Sequence, residues 1–170
     1  VNLSSIKYYF GDKEGLYRAV FVEPMQEHRE KIMAISLSND KSLEENLRSL
    51  LFTMVEPLKD GKELAWCMTL RLRETIEKTG LVEDSKNDFK IIFESLSGFI
   101  KKEIPKIEET TLKRLVFSIL GQPIFMFIGN DLISYIEPNL LNSKSAIDAW
   151  VNKSVFYALK MIELEKDICK

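Results

Sequence analysis

The sequence predicts an all-α protein in which amphipathic helices pack around one core. Apolar residues recur at spacings of three and four along most of the 170 residues, which is the period of a helix with one buried face. Only seven glycines and five prolines interrupt the chain. No stretch alternates polar and apolar residues as a half-buried strand would. Because 45% of the residues are hydrophobic, we expect a core of ordinary size.

A glycine turn separates the first two predicted helices. The spacing predicts a short helix over residues 3–9, which Gly11 closes, because glycine readily adopts a left-handed conformation. Asp12 is expected to cap a second helix over residues 12–35. Pro24 should bend this helix, since proline donates no backbone hydrogen bond.

Three helices are predicted in the middle of the chain. Ser42 and Glu45 form an S-x-x-E capping box at the head of the third helix, and Pro57 and Gly61 predict its break. The fourth and fifth helices are predicted over residues 63–78 and 84–103.

Two long helices are predicted at the end of the chain, over residues 110–129 and 144–165. Asn142 or Ser143 would cap the second of them. The connector between them, residues 130–141, has apolar residues of its own and room for a short helix.

Composition limits the possible functions. With a net charge of −2, nucleic-acid binding would have to come from a local patch. Cys67 and Cys169 have no metal-ligand spacing and predict one core thiol and one tail thiol in a reducing cytosol. The only histidine, His28, lies in a charged stretch that we expect to be solvated. Without a nucleophile motif or a phosphate-binding glycine loop, we expect no enzyme, no cofactor and no metal.

Membrane insertion is not expected from the apolar runs. The longest run, residues 119–133, is broken by glycines, a proline and polar residues, so we expect no segment long enough to cross a membrane. No secretory signal is found at the start of the sequence. These features predict a cytoplasmic protein without a membrane partner.

The opening segment carries the most specific pattern, V-N-L-S-S-I-K-Y-Y-F-G-D-K-E-G-L-Y. Two small polar residues precede an aliphatic residue, an aromatic pair and a phenylalanine. A short turn, a Lys-Glu pair and an aliphatic-aromatic pair follow. This string resembles the end of the helix-turn-helix of TetR-family transcriptional regulators. The resemblance implies that the first helix reads DNA and that two further helices precede Val1.

The chemistry of this helix fits DNA recognition. Ile6 and Phe10 lie four residues apart and would form a buried inner face. The other sides would show small polar or basic groups to a groove. Lys7 could donate to guanine or a phosphate, and Lys13 could hold a phosphate at the start of the next helix. The predicted DNA-binding residues are Ser4, Ser5, Lys7, Tyr8, Tyr9 and Lys13. The alternative is a helical hairpin whose aromatic residues belong to a core.

A second resemblance covers the later chain. Residues 66–74, with an Arg-Glu pair at their end, and the Ile-Leu-Gly-Gln sequence at 119–122 are similar to the ligand-binding domain of CecR-like TetR regulators. That branch responds to small, often toxic compounds. The resemblance implies the remainder of a DNA-binding domain over residues 1–37 and a ligand-binding and dimerisation domain over residues 38–170.

The middle helices favour an apolar pocket with a few polar anchors. Their aromatic and methionine residues would also suit an ordinary core, and Arg73 would also suit a structural ion pair. Gln122 lies beside Pro123, which should bend its helix and open space. The predicted ligand-binding residues are Trp66, Arg71, Phe93, Gln122, Phe125 and Met126.

The last helix has an apolar stripe broader than one packing face requires, and large aromatic residues are common at interfaces. The resemblance implies that the last two long helices of two subunits form a four-helix bundle. The predicted interface residues are Phe117, Ile147, Trp150, Val151, Phe156 and Leu159. A two-fold homodimer would read two half-sites of a palindrome.

These observations predict a ligand-responsive regulator with three partners: double-stranded DNA, a small-molecule effector and a second copy of the chain. We expect a repressor that leaves a palindromic operator when the effector binds. The alternative is a helical small-molecule-binding or adaptor protein without DNA contact. Two further helices of basic character upstream of Val1 would separate the first reading from the second.

Overall fold

The computed structural model describes residues 3–12, 15–16, 18–36, 41–60, 62–76 and 83–169. Within these ranges the chain forms eight α-helices whose two ends are both described, and no strand. This confirms the predicted fold class. The helices are α1 (Leu3–Phe10), α2 (Gln26–Ser36), α3 (Leu43–Asp60), α4 (Lys62–Ile76), α5 (Glu83–Glu103), α6 (Glu109–Ile128), α7 (Asn130–Ile136) and α8 (Lys144–Ile168).

The turn after α1 has the predicted glycine geometry. Gly11 has a φ of 77°, and its N–H donates to the carbonyl of Lys7 at 3.0 Å. The carboxylate of Asp12 accepts a hydrogen bond from the N–H of Gly15 at 2.7 Å, as a helix cap does. A Cβ on Gly15 would lie 1.9 Å from the carbonyl oxygen of Phe10, so this close turn requires glycine at that position.

The segment between the turn and α2 is less regular than the predicted single helix. Arg18–Val22 forms a π-helical turn and Glu23–Met25 a 3-10 turn before α2 begins. Pro24 explains the change, because it has no N–H to donate to the carbonyl of Val20, four residues before it. The thiol of Cys67 on α4 donates to that carbonyl instead, at 3.3 Å. The predicted bend is therefore present as a change of helix type. The hydrogen bond from Cys67 on α4 stabilises this irregular segment.

Helix α3 is the centre of the molecule and packs against α2, α4, α5, α6 and α8. The predicted capping box starts it: the N–H of Ser42 donates to the Glu45 carboxylate at 2.8 Å, and the N–H of Glu45 donates to the Ser42 hydroxyl at 3.3 Å. The Ser42 hydroxyl also donates to the Glu45 carboxylate, at 2.7 Å, and this bond, together with that from the Ser42 N–H, lowers the pKa of Glu45. The predicted break lies after Asp60, where α3 ends before α4 begins at Lys62, and not at Pro57. Pro57 removes one backbone hydrogen bond near the helix end, and its burial offsets that loss.

Helix α6 corrects the expectation that no segment of the chain is long enough to cross a membrane. Among the described residues it is the one helix long and apolar enough to cross a membrane by length and composition alone. Gly121 and Pro123 break the apolar run but do not end the helix, which continues to Ile128 as predicted. Eight of its residues are buried against neighbouring helices. This burial accounts for part of the hydropathy of α6, and the rest comes from exposed residues such as Phe117 and Phe125.

The C-terminal part follows the sequence closely. Ser143 is the cap of α8, because its hydroxyl accepts from the N–H of Ala146 at 3.2 Å. The connector before α8 holds the short helix α7 and a 3-10 turn, Pro138–Leu140. Cys67 is buried, Cys169 is half-buried, and both are free thiols, in agreement with the prediction of one core and one tail thiol.

Candidate functional site

An interior cavity of about 550 Å³ lies between the segment that includes α2 and helices α3, α4, α5 and α6. This volume is within the range of small-molecule sites. Its walls are mainly apolar, and four methionines contribute to them: Met25, Met33, Met54 and Met68. Methionine side chains are flexible and polarisable, so such walls adapt to ligands of different shape.

One end of the cavity is polar and centres on Asp88 of α5. Nη2 of Arg71 on α4 lies 2.5 Å from Oδ2 of Asp88, and Nε of Arg29 on α2 lies 2.7 Å from Oδ1 of the same carboxylate. The side chains of Arg71 and Asp88 are 12% and 20% exposed. Because charged groups are costly to bury without partners, this pair depends on both members. His28 of α2 and Lys86 of α5 also line the cavity.

The shared carboxylate joins three helices. Arg29 comes from α2, Arg71 from α4 and Asp88 from α5, so a shift of any one of these helices changes the cluster. Arg29 extends from the helix that follows the glycine turn and α1 along the chain. The polar end of the cavity is thus connected directly to the segment that leads to α1.

Cys67 makes a second link between α4 and this segment, through the bond to Val20 described above. Burial raises the pKa of the Cys67 thiol, and the carboxylate of Glu63 raises it further. The thiol therefore remains protonated near neutral pH, as a donor must. Among the described residues, no group of three His, Cys, Asp or Glu side chains could hold a metal ion.

A second feature is an open groove of about 690 Å³ on the outer face of α6 and α8. Small residues line its floor, including Gly121 and Ala149. Large apolar side chains remain exposed on these two helices: Phe117, Phe125, Phe156, Tyr157 and Leu164. Single exposed apolar residues are common on protein surfaces, but a continuous apolar face is typical of an interaction surface.

The structure divides the six predicted ligand-binding residues among different places. Arg71 lines the interior cavity, whereas Gln122 and Phe125 line the outer groove. Met126 is fully buried, and Trp66 is 67% exposed beside the π-helical segment.

The ring of Phe93 packs against Phe117, with 5.1 Å between the centroids. Pro123 lines the interior cavity, whereas the neighbouring Gln122 lines the outer groove. The predicted residues therefore do not form one site.

The predicted interface residues also fall into two groups. Ile147 and Val151 are buried within the core of the chain. Phe117 and Phe156 are exposed, and Trp150 and Leu159 are half-buried. Trp150 lines the outer groove. The accessible face is therefore narrower than the apolar stripe of α8, because the inner half of the stripe is used for core packing, mainly against α3.

Three of the predicted DNA-binding side chains can be placed. Lys7, Tyr8 and Tyr9 are exposed on α1, with Tyr8 84% exposed and its ring 5.2 Å from that of Tyr9. Ser4 and Ser5 lie on α1, but their side chains are outside the described residues, as is the whole of Lys13.

Phe10, expected in a core, is 39% exposed, which corrects that expectation. Phe10 is the last residue of α1, directly before the glycine turn, and the described helices cover its ring only in part.

Sequence reasoning missed the polar end of the cavity. His28 was expected to be solvated, yet it is half-buried and lines the cavity, because α2 packs one face against α3 and α5. Asp88 was not singled out at all. A signal was present: Asp88 lies four residues before Ile92, on the inward stripe of α5. A carboxylate on an apolar stripe indicates a buried cationic partner.

Comparison with known families bears on the helices that surround the cavity. The family model for the C-terminal domain of the HTH-type transcriptional dual regulator CecR matches residues 43–157. This range covers α3 to α7 and the first half of α8, and it is more than half of the chain. No curated protein matches the chain significantly. The chain therefore belongs to the family of CecR C-terminal domains, the ligand-binding domains of a branch of TetR-type transcriptional regulators.

Proposed function

We propose that this protein is a ligand-responsive transcriptional regulator whose effector binds in the interior cavity. The observation that carries the proposal is the position of Asp88, which lines the cavity and binds both α4 and α2. The proposal divides the chain into a DNA-binding part over residues 1–37 and a ligand-binding and dimerisation domain over residues 38–170. It places the protein in the cytoplasm and assigns it no catalytic step.

The coupling step follows from the charge cluster. A ligand that enters the cavity contacts α4, α5 and α6 and changes how Arg29 and Arg71 share Asp88. Because Arg29 belongs to α2, the change alters the tilt of the segment that leads to α1. The ligand shifts the equilibrium only if it binds the DNA-free conformation more tightly than the DNA-bound one. Repression would then end when the effector binds.

DNA contact is assigned to α1. Its exposed Lys7, Tyr8 and Tyr9 carry donors for phosphates and for base edges, and Tyr rings can contact thymine methyl groups. Ser4, Ser5 and Lys13 remain predicted contacts of the same surface. Lys7→Ala should lower operator affinity, because it removes a charge that releases counterions from DNA. Ser97→Ala on α5, far along the chain from α1, is the matched control and should leave the affinity unchanged.

Dimerisation is assigned to the outer groove of α6 and α8. Two copies related by a two-fold axis would cover Phe117, Phe125, Phe156 and Tyr157, and the small residues of the groove would let helices approach closely. An interface of this kind has an apolar core with a polar rim. In this proposal Gln122 and Trp150 contact the partner subunit, and the effector is held by the interior cavity.

Selection of bound DNA from random sequence tests the DNA function of the protein. A palindromic consensus is expected, because a two-fold dimer presents two recognition helices. A consensus without two-fold symmetry would contradict the dimer, and failure to select any sequence would favour the alternative, a helical small-molecule-binding or adaptor protein. The cavity would still bind ligand in that alternative, so ligand binding alone does not decide between them.

A further inference from the structure

The charges that line the interior cavity are unbalanced. Among the described lining residues, Arg29, Arg71 and Lys86 carry positive charge, and Asp88 alone carries negative charge. The remaining lining is apolar except for His28. The side chains of Glu83 and Asp84, which precede Lys86 on α5, lie outside the described residues, so this comparison concerns the lining that is described.

Arg71 is the cation best placed to contact a ligand. It is only 12% exposed, and the recorded partner of its guanidinium among the described residues is Asp88, bound through one nitrogen. A guanidinium offers five N–H donors in a planar fork that fits an oxyanion. Asp88 divides its single negative charge between Arg71 and Arg29. The arrangement therefore leaves donors and positive charge at the edge of an apolar space.

We propose that the cavity takes an amphipathic anion, with an apolar body between the methionine-rich walls and an oxyanion headgroup on Arg71. This inference rests on the proposed function of the cavity and adds the chemical class of its ligand. The headgroup competes with Asp88 for Arg71, and Lys86 at the rim attracts it as it enters. A neutral ligand of the same shape gains only the apolar contacts. A cationic one meets Arg71 and Lys86 with like charge.

Three dodecyl probes test this assignment: dodecanoate, dodecanol and dodecyltrimethylammonium, each titrated calorimetrically into the full chain below its micelle-forming concentration. We expect dodecanoate to bind about tenfold more tightly than dodecanol, since a charge-assisted hydrogen bond to a nearly buried cation is worth at least that factor. The ammonium probe should bind most weakly. Equal affinities, or the tightest binding by the ammonium probe, would overturn the anion assignment.

Two substitutions move the preference in opposite directions. Arg71→Gln should abolish the preference for dodecanoate and leave the affinity for dodecanol within about twofold, because it removes the charge and keeps most of the wall. Asp88→Asn should increase the preference, because the amide keeps a hydrogen-bond acceptor for Arg71 but no charge that competes with the headgroup. If Arg71→Gln does not fold, Asp88→Asn decides alone, and a reduced preference in that variant contradicts the proposal. Arg114→Gln, an exposed arginine on α6, is the control.

A cavity-filling variant separates this inference from the proposed function. Ile92→Trp should abolish the binding of all three probes, since Ile92 lines the apolar part. If dodecanoate and dodecanol bind equally and both are lost in Ile92→Trp, the ligand cavity stands and the anion assignment fails. If no probe binds, or if Ile92→Trp binds as the parent does, both the cavity function and the anion assignment fail.

Discussion

The carboxylate of Asp88 holds two guanidinium groups that come from different helices, and one of them is nearly buried. The sequence analysis predicted Arg71 as a ligand-binding residue, whereas its burial in the structure also requires an acidic partner. The identity of the partner was not predictable, because several acidic residues could have reached it and only the packing of α4 on α5 selects Asp88. Arg29 shows the same limit, since nothing in its local sequence marks it as a neighbour of the cavity.

Asp88→Ala should therefore destabilise the protein far more than the removal of a surface carboxylate. It leaves Arg71 buried without its partner, and we expect the free energy of unfolding to fall by roughly 3 kcal/mol. Glu103→Ala removes an exposed ion pair with Lys166 and should cost less than about 1 kcal/mol. Urea unfolding followed by circular dichroism measures both. Equal losses in the two variants would contradict the structural role of Asp88.

At the scale of elements, periodicity and capping signals predicted most of the helices with small errors at their ends. The capping box at Ser42, the Ser143 cap and the left-handed Gly11 are local features, and local sequence is sufficient to specify them. The prolines were harder to interpret. Pro24 changes the helix type, whereas Pro57 and Pro123 are accommodated inside helices, because tertiary packing decides whether the lost hydrogen bond ends a helix.

Helix α6 provides a pH-dependent test at this scale. Glu108 caps it, accepting from the N–H groups of Thr110 and Thr111 at 2.8 and 2.7 Å. These bonds, first that from the backbone of Thr110, lower the pKa of Glu108 to about 2 from its ordinary 4.5. A carboxylate with a lowered pKa stabilises the fold fully above pH 4.5, and this stabilisation is lost as the pH falls towards 2.

Glu108→Gln should accordingly be less stable than the parent near neutral pH, with a difference that shrinks as the pH is lowered through this window. Urea unfolding between about pH 2 and pH 7 measures the difference. Glu94→Gln, within α5, is the control for removing an exposed carboxylate. A difference between Glu108→Gln and the parent that grows on acidification would show that Glu108 does not cap α6 as described.

For the whole molecule, the sequence predicted the fold class and the family, but it did not separate the two surfaces of α6. One face of α6 lines the interior cavity with Pro123 and Ile124, and the opposite face lines the outer groove with Gln122 and Phe125. The residues are adjacent in sequence, so only the three-dimensional packing assigns each to its side. A single predicted pocket therefore became two features with different proposed roles.

Tyr157→Glu tests the role proposed for the outer groove. Tyr157 is exposed on α8 and lines the groove, and a charge there would be buried without a partner in a dimer. We expect the variant to remain folded and to sediment as a monomer. The dissociation constant of its dimer should be at least about tenfold higher than that of the parent. Trp66→Glu places the same charge at an exposed aromatic position on α4 and should leave the dimer intact. If Tyr157→Glu associates as the parent does, the outer groove is not the dimer interface.

Hydrogen exchange of the backbone amides most directly tests the claim that cavity occupancy is transmitted to α2. It is measured on the full chain with and without the dodecyl probe that binds most tightly, and again in Ile92→Trp. The account predicts that the probe changes exchange in α2, α4 and α5, and that Ile92→Trp loses the change. Exchange that changes only along the outer faces of α6 and α8, with α2 unaffected, would contradict it.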